Sequence, residues 1–320
     1  MNNNFKLNLI YCFDENYNTQ AAVSIYSFLR NYKNSLNIYI LHNNPSTFKN
    51  YKNKLSETGA VANIQMFKFE NPGYTFPNLT NKHVSEATYY RLFLDMYLPE
   101  SVENFMYVDA DTVIIKDVTK TIKDSFLELN DSEYFLIAKE EIDKNTIKET
   151  TKRLNKRKET YFNAGVMFMK IDNDDNYFIK LRKLITQLNT KIQWWDQDVL
   201  NAFFDDKYIR LDGKLNSNAN FTISKISNTN SDLNMEPEIL HYQGKSKPWK
   251  WQGLKIENSL YFHNYFMDLN NVDKLYLEFE SKFELLLFTL RTLFLKPEYT
   301  KNYTKRLLFN SLVKGLKNDN

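Results

Sequence analysis

The sequence predicts an α/β protein that opens on a parallel sheet, and three observations predict it. Apolar runs of strand length alternate with segments of helical periodicity from residue 7 onward, and a βαβαβ alternation requires parallel strands joined by right-handed crossovers. At 320 residues, 15% of them aromatic, the chain can bury one large domain with an appendage. Its 7 glycines and 7 prolines are too few for a disordered or low-complexity chain.

"LNLIYCF" (residues 7–13) reads as a buried strand, and "QAAVSIYSFLRN" follows with Ala21, Ala22, Ile25, Phe28 and Leu29 at helical spacing. "LNIYILHN" is a second strand, "FKNYKNKLSETG" a polar-faced helix stopped by Gly59, and "NIQMFKF" a third strand. "SEATYYRLFLDMYLP" predicts a helix ended by Pro99, and "NFMYVDADTVI" a fourth strand. Further strands are expected at "YFLIAKE", "FNAGVMFMKI" and "PEILHYQG", with helices at "YFIKLRKLITQLN" and "WDQDVLNAFF". The Lys-rich stretch 140–159 has no apolar periodicity and predicts a surface helix or loop.

The balance of 42 basic and 39 acidic residues leaves +3, which gives no footprint for nucleic acid. Charge is concentrated at the end. Residues 291–320 hold seven basic side chains against Glu298 and Asp319, a net +5. There Leu308, Leu312 and Leu316 recur at helical spacing beside Phe309 and Val313, with Lys305, Lys314 and Lys317 on the polar side. Such a helix suits an anionic membrane surface, or packs on the domain that precedes it. The single cysteine, Cys12, excludes an intramolecular disulfide and fits a reducing compartment. No uncharged apolar run approaches the ~18 residues of a membrane span. Together these predict a cytoplasmic protein, with peripheral contact at the cytoplasmic face of the membrane as the further expectation.

Chemistry enters where the fourth strand stops being apolar. "MYVDADTVI" places Asp109 and Asp111 one residue apart, so in an extended chain both carboxylates face one spot, which suits a hard divalent cation. The same spacing recurs at Asp172/Asp174 and Asp196/Asp198, but only Asp109/Asp111 follow a run as apolar as "FMYV". Two chemistries use such a pair after a hydrophobic strand. One is the haloacid-dehalogenase type of phosphatase, with Asp109 as nucleophile. The other is nucleotide-sugar transfer, with a metal on the donor diphosphate. Three strands precede the motif and no Gly-Asp step follows, which disfavours the phosphatase. The absence of Gly-x-Gly-x-x-Gly disfavours a dinucleotide oxidoreductase and leaves a diphosphate to a metal and cationic side chains. "ILHYQGKSKPWKW" offers them: His241 as a third ligand, and Lys245 and Lys247 flanking Gly244. One imidazole among carboxylates suits Mn²⁺ somewhat better than Mg²⁺.

In ordered succession, "FDENY", "HVSEATYYRL", "YVDADTVI", "YFNAGVMFMKI" with "WWDQDVLN", and "HYQGKSKPW" resemble the family 8 retaining glycosyltransferases, close to the bacterial lipopolysaccharide galactosyl- and glucosyltransferases. The resemblance runs over residues 6–266. It implies a single GT-A type nucleotide-diphospho-sugar transferase domain over residues 1–266, a Rossmann-like mixed sheet, with a C-terminal helical tail over 267–320. It further implies transfer of galactose or glucose from a UDP-hexose to a glycan acceptor, oligosaccharide or lipid-linked. An inactive UDP-sugar-binding protein is the other reading.

Carried over position by position, the resemblance implies that Asp14, Asn16 and Tyr17 bind the uridine, near Cys12. Asp109, Asp111 and His241 would hold Mn²⁺, with Mg²⁺ as the other candidate, and Ala110 would lie against the nucleotide. Gly244 and Lys247 would meet the phosphates. Arg91, Asn163, Ala164, Gly165, Asp196 and Gln197 would surround the donor sugar, and His83 would face the acceptor. The amide Gln197 beneath the sugar is a poor nucleophile, so front-side substitution is the expected course and a covalent step on Asp196 the alternative. Lys245 departs from the smaller or apolar residue usual in the family's lid. His42 and His263 match nothing in the pattern.

Overall fold

Strand β1 (Leu7–Phe13) is buried along nearly its whole length because the sheet extends on both of its edges and helices cover both of its faces. In the computed structural model, residues 6–58, 62–79, 84–171, 176–220 and 236–293 are described, together with Tyr303, Leu307 and Leu308. After β1 come α1 (Asn18–Asn31), β2 (Leu36–His42), α2 (Lys49–Ser56) and β3 (Ala62–Lys68). β4 (Asn104–Val108), β5 (Thr112–Ile114), α3 (Thr119–Asn130), β6 (Leu136–Glu140) and α4 (Lys144–Leu154) follow. The chain continues through β7 (Phe162–Lys170), α5 (Tyr177–Leu188), α6 (Trp195–Phe204), β8 (Ile209–Arg210) and β9 (Ser217–Asn218). It then forms β10 (Ile239–His241), α7 (Ser259–Asn270) and α8 (Lys282–Leu293).

The main sheet has the order β3-β2-β1-β4-β7-β6-β8. β1 to β4 run parallel as the βαβαβ opening requires, whereas β7 lies antiparallel between β4 and β6, so the sheet is mixed. Side-chain alternation divides the core. Leu7, Leu9, Tyr11 and Phe13 pack with α1, α2 and α3 on one face. Ile10 and Cys12 pack with α5, α6 and residues of the 86–96 segment on the other.

Two expectations are corrected, and a third is narrowed. Residues 104–114 form two strands, not one: β4 ends at Val108, and the chain turns at Asp109–Asp111 to enter a second sheet of order β5-β10-β9. Thr112 Oγ1 donates to Asp109 O at 2.9 Å across that turn, and Tyr242 N donates to Asp111 O at 2.9 Å from the far side. The two carboxylates therefore converge by a turn and not by strand alternation. Residues 86–96 wind as a 3-10 helix, capped by Ser85, where ordinary helical periodicity suggested an α-helix. In a 3-10 helix residues i and i+3 eclipse, which stacks Thr88 directly over Arg91. The stretch 140–159 resolves into α4, started by Asp143 accepting from Thr146 N at 2.9 Å and stopped by Asn155 at φ +55°.

The C-terminal elements fasten the loop after β10. Trp249 is buried among Val113, Leu240, Phe262 and Phe266, while Trp251 and Leu254 pack with Phe288, Tyr303 and Leu308. Of the apolar stripe expected in the tail, Leu308 is turned into the protein; Leu312 and Leu316 lie outside the described residues. A β-carbon on Gly253 would stand 2.0 Å from Lys247 O, so only glycine permits that backbone contact. Beside it, His263 on α7 is fully buried and its Nε2 lies 3.0 Å from Pro248 O, which can only accept, so Nε2 carries a hydrogen and donates it.

Burial pushes the His263 pKa down to about 4 from an ordinary 6.5. A depressed histidine contributes stability that is complete above its unfolded-chain value and is lost as pH falls through the folded one. The free-energy advantage of the native protein over His263→Gln should therefore shrink by about 3 kcal/mol between pH 7 and pH 4. Urea unfolding of both proteins at the two pH values checks this, and a difference that does not change with pH would contradict it.

Candidate active site

Asp109 at the end of β4, Asp111 in the turn and His241 at the end of β10 bring one ligand atom each within 4.8 Å of the others. His241 Nε2 lies 3.2 Å from Asp111 Oδ1 and 3.8 Å from Asp109 Oδ2. β7 forms the floor. A β-carbon on Gly165 would stand 2.1 Å from His241 Cε1 and 2.9 Å from Asp109 Oδ2, so a side chain there would fill the site. Asp111 Oδ1 is buried without a hydrogen-bond partner, and Asp111 Oδ2 pairs with Lys247, whose Nζ also donates to Tyr242 O at 2.5 Å. Burial would raise the Asp111 pKa, but the Lys247 ammonium outweighs it and holds the carboxyl well below its usual range. Two carboxylates, one imidazole, an orphaned buried acceptor and a cradle with no room for a side chain fit a hard divalent cation.

Arg91 joins this trio to a second carboxylate. Only 7% exposed, its guanidinium reaches Asp109 Oδ1 at 2.8 Å, Asp196 Oδ2 at 2.9 Å and Ala164 O at 2.6 Å. The same guanidinium lies 4.0 Å from the centre of the Tyr107 ring, whose hydroxyl donates to Asp109 Oδ1 at 2.8 Å. Thr88 hydrogen-bonds the other oxygen of Asp196, as the eclipsed 3-10 spacing allows. Burial pushes the Asp196 pKa up to about 6 against the pull of Arg91.

Asp196 and Gln197 are aimed by a strained start to α6. Trp195 sits at φ +49°, a left-handed conformation disfavoured for an aromatic residue, and its indole N–H donates to Asn78 O at 2.8 Å. Gln197 Oε1 accepts from Ala164 N at 3.0 Å, and Gln197 Nε2 donates to Tyr161 OH at 3.2 Å. Asp198 is structural: fully buried, it takes Arg153, Tyr161 OH and the backbone N–H groups of Gln193 and Trp194.

The expected nucleotide residues lie at the end of β1. Cys12 is buried, and burial holds its thiol above the ordinary range. Asp14 is buried and caps the following turn by accepting from Asn16 N at 3.0 Å, while Asn16 is exposed. Tyr17 is half-buried and edge-on to Trp249, 5.9 Å between centroids. Gly244 is at the exposed apex of the loop at φ +70°, and Ala110 is buried between the two aspartates. His83 lies outside the described residues. Sequence reading missed Thr88, Tyr107, Tyr161 and Asn216, whose partners are mostly remote and leave no local pattern. For Tyr107, its place two residues before Asp109 was the available signal.

Helices on both faces of a mixed sheet, with an acidic cation trio beyond the carboxyl ends of the strands, make the arrangement of a glycosyltransferase. The chain belongs to glycosyl transferase family 8, whose sequence model matches residues 8–253. It is 29% identical over 259 residues to a lipopolysaccharide 1,2-glucosyltransferase of Escherichia coli, covering 76% of this chain and 73% of that one. It is 23% identical over 273 residues to general stress protein A of Bacillus subtilis, covering 80% and 92%. Its fold is shared with the galactosyltransferase LgtC, solved in complex with donor and acceptor sugar analogues. That likeness has a TM-score of 0.69 at 20% identity and covers 83% of this chain and 97% of that one. Family membership removes the phosphatase reading of Asp109.

Deleting the central cation should leave the buried Asp196 and the half-buried Asp109 uncompensated. Arg91→Met is expected to lower the unfolding free energy by about 3–5 kcal/mol, and adding Asp196→Asn should return part of that loss. Urea denaturation of the single and double variants measures both, and a loss below about 1 kcal/mol would contradict the role given to Arg91.

Proposed function

We propose that this chain is a retaining, metal-dependent glycosyltransferase that moves galactose or glucose from a UDP-sugar to a glycan acceptor, lipopolysaccharide or another surface glycan. Residues 1–266 form its catalytic domain and 267–320 its tail. The observation that carries this reading is the convergence of Asp109, Asp111 and His241 over Gly165, with Lys247 held beside them. Asp109, Asp111 and His241 hold Mn²⁺, which when bound neutralises charge on the donor diphosphate. Lys247 then exchanges Asp111 for phosphate, and Gly244 gives the loop a left-handed turn that other residues adopt at a cost. Asp14, Asn16 and Tyr17 take the uridine, Tyr17 through its ring face. Arg91, Asn163 and Gly165 border the sugar, with His83 toward the acceptor.

Front-side substitution is the route these side chains favour. Asp196 Oδ1 accepts from Thr88 and the carboxylate is ion-paired with Arg91, although Oδ2 makes no hydrogen bond, so a covalent sugar on Asp196 would break a buried ion pair. In the front-side course the bond between the anomeric carbon and the β-phosphate oxygen breaks and the acceptor oxygen attacks from the same face. The acceptor proton passes to the departing UDP. The Gln197 amide dipole, fixed by Ala164 N–H, steadies the positive charge on the sugar.

Following a panel of UDP-sugars by NMR with Mn²⁺ and no acceptor tests the reading, since slow hydrolysis identifies both the donor and its anomeric course. Asp111→Ala should lose this metal-dependent turnover by at least about two decades while circular dichroism shows the metal-free variant still folded, with a lowered melt because Lys247 loses its partner. Undiminished hydrolysis in EDTA would sink the metal role, and donor binding with no turnover under any condition would support an inactive sugar-nucleotide-binding protein.

A lipid-linked acceptor is favoured by α8. Phe283, Leu286 and Leu290 are 67%, 53% and 42% exposed at helical spacing, next in sequence to the +5 segment 291–320. Among the described residues no helix is long and apolar enough to cross a membrane, so the contact is peripheral. The full chain should co-sediment with anionic but not zwitterionic vesicles and be released by salt, and Leu286→Glu should weaken the binding several-fold. Equal binding to both vesicle types, or to neither, would exclude it.

A further inference from the structure

We infer that Asn216 is a positioning residue that fixes His241 with its proton on Nδ1, leaving the Nε2 lone pair to the cation site. The inference rests on the metal role proposed for Asp109, Asp111 and His241, and adds the group that aims one of them.

The assignment follows from one backbone donor. Gly165 N lies 3.0 Å from an amide atom of Asn163, and because an N–H only donates, that atom is Asn163 Oδ1. Asn216 approaches the same oxygen at 2.9 Å, so it does so through Nδ2. Its other amide atom, Oδ1, is then the one 2.9 Å from His241 Nδ1, and an amide oxygen accepts only. His241 Nδ1 must carry the hydrogen. Asn216 is fully buried at the end of the turn Gly213–Asn216, and Lys139 Nζ holds its carbonyl at 2.8 Å, so neither amide nor backbone is free to reorient.

A competing chain of contacts runs the opposite way. Asn220 N donates to Asn218 Oδ1 at 3.0 Å, Asn218 Nδ2 faces Gln243 Oε1 at 3.4 Å, and Gln243 Nε2 faces His241 Nδ1 at 3.2 Å. Its last two links are the longer ones, and Asn218 and Gln243 are only half-buried. Turning the Gln243 amide forfeits a single contact at the edge of hydrogen-bond length. On the other side of the ring, Nε2 lies 3.2 Å from Asp111 Oδ1 and 3.8 Å from Asp109 Oδ2. With Nδ1 donating to Asn216, the neutral ring turns its Nε2 lone pair toward these two carboxylate oxygens, which is the arrangement a cation completes.

Metal-free, full-length protein carrying ¹⁵N-histidine reports the tautomer directly by long-range ¹H–¹⁵N correlation at pH 8, with His241 identified by its loss in His241→Gln. The wild-type ring should be protonated on Nδ1. Asn216→Asp, which keeps an acceptor, should preserve that tautomer and bind Mn²⁺ within a few-fold of wild type by calorimetry. Asn216→Leu should populate the other tautomer and bind Mn²⁺ about 10- to 100-fold more weakly. A wild-type ring protonated on Nε2 would overturn the inference even if a variant fails to fold, as would Asn216→Leu with both tautomer and affinity unchanged. No sugar nucleotide is needed, so failure here and failure of UDP-sugar turnover are separate results.

Discussion

A single desolvated guanidinium organises the site. Arg91 touches the end of β4 through Asp109, β7 through Ala164 O and α6 through Asp196, and it comes from a fourth element, the 3-10 helix. Its geometry is planar and its charge permanent, so it sets the angle between these elements as well as balancing them. With Oδ1 of Asp109 taken by Arg91 and Tyr107, Oδ2 is left turned toward His241. The orientation of the candidate metal ligand is therefore decided from outside the cation site.

Charge balance gives the site its direction of change. Asp109, Asp111 and Asp196 stand against Arg91 and Lys247, one negative charge in excess before any ligand enters. Lys247 is held by Asp111 and Tyr242 O through its ammonium, and the backbone around it is pinned by Gly253 and by His263 on Pro248 O. A cation at Asp111 would compete with the Lys247 ammonium and would free that side chain to meet a second anion. The exposed part of this loop is its apex, Gly244, Lys245 and Ser246, while Trp249 beyond it is packed into the core.

Much of this could be read from the sequence, for physical reasons that also mark where reading stops. Strand β1, helices α5 and α6, and the acidic pair were legible because burial imposes a local period and a polar residue ending an apolar run breaks it. His241 was legible for the same reason. The turn at Asp109–Asp111 was not, since apolar residues on both sides served two different sheets and gave one unbroken pattern. The 3-10 winding of 86–96 was hidden because its hydrophobic spacing resembles an α-helix. Asn216 meets His241 and Asn163 from 25 and 53 residues away, and the partners of Tyr161 lie 36 and 37 residues on. An asparagine or tyrosine at such a distance carries no signature until the fold is known.

Anomalous diffraction at the manganese edge, from crystals soaked with MnCl₂ and UDP, tests the central claim most directly. The account predicts one strong peak bonded to Asp109, Asp111 and His241 Nε2, with Lys247 moved from Asp111 onto phosphate. Nucleotide bound with no peak at those three side chains, and Lys247 still paired to Asp111, would contradict it.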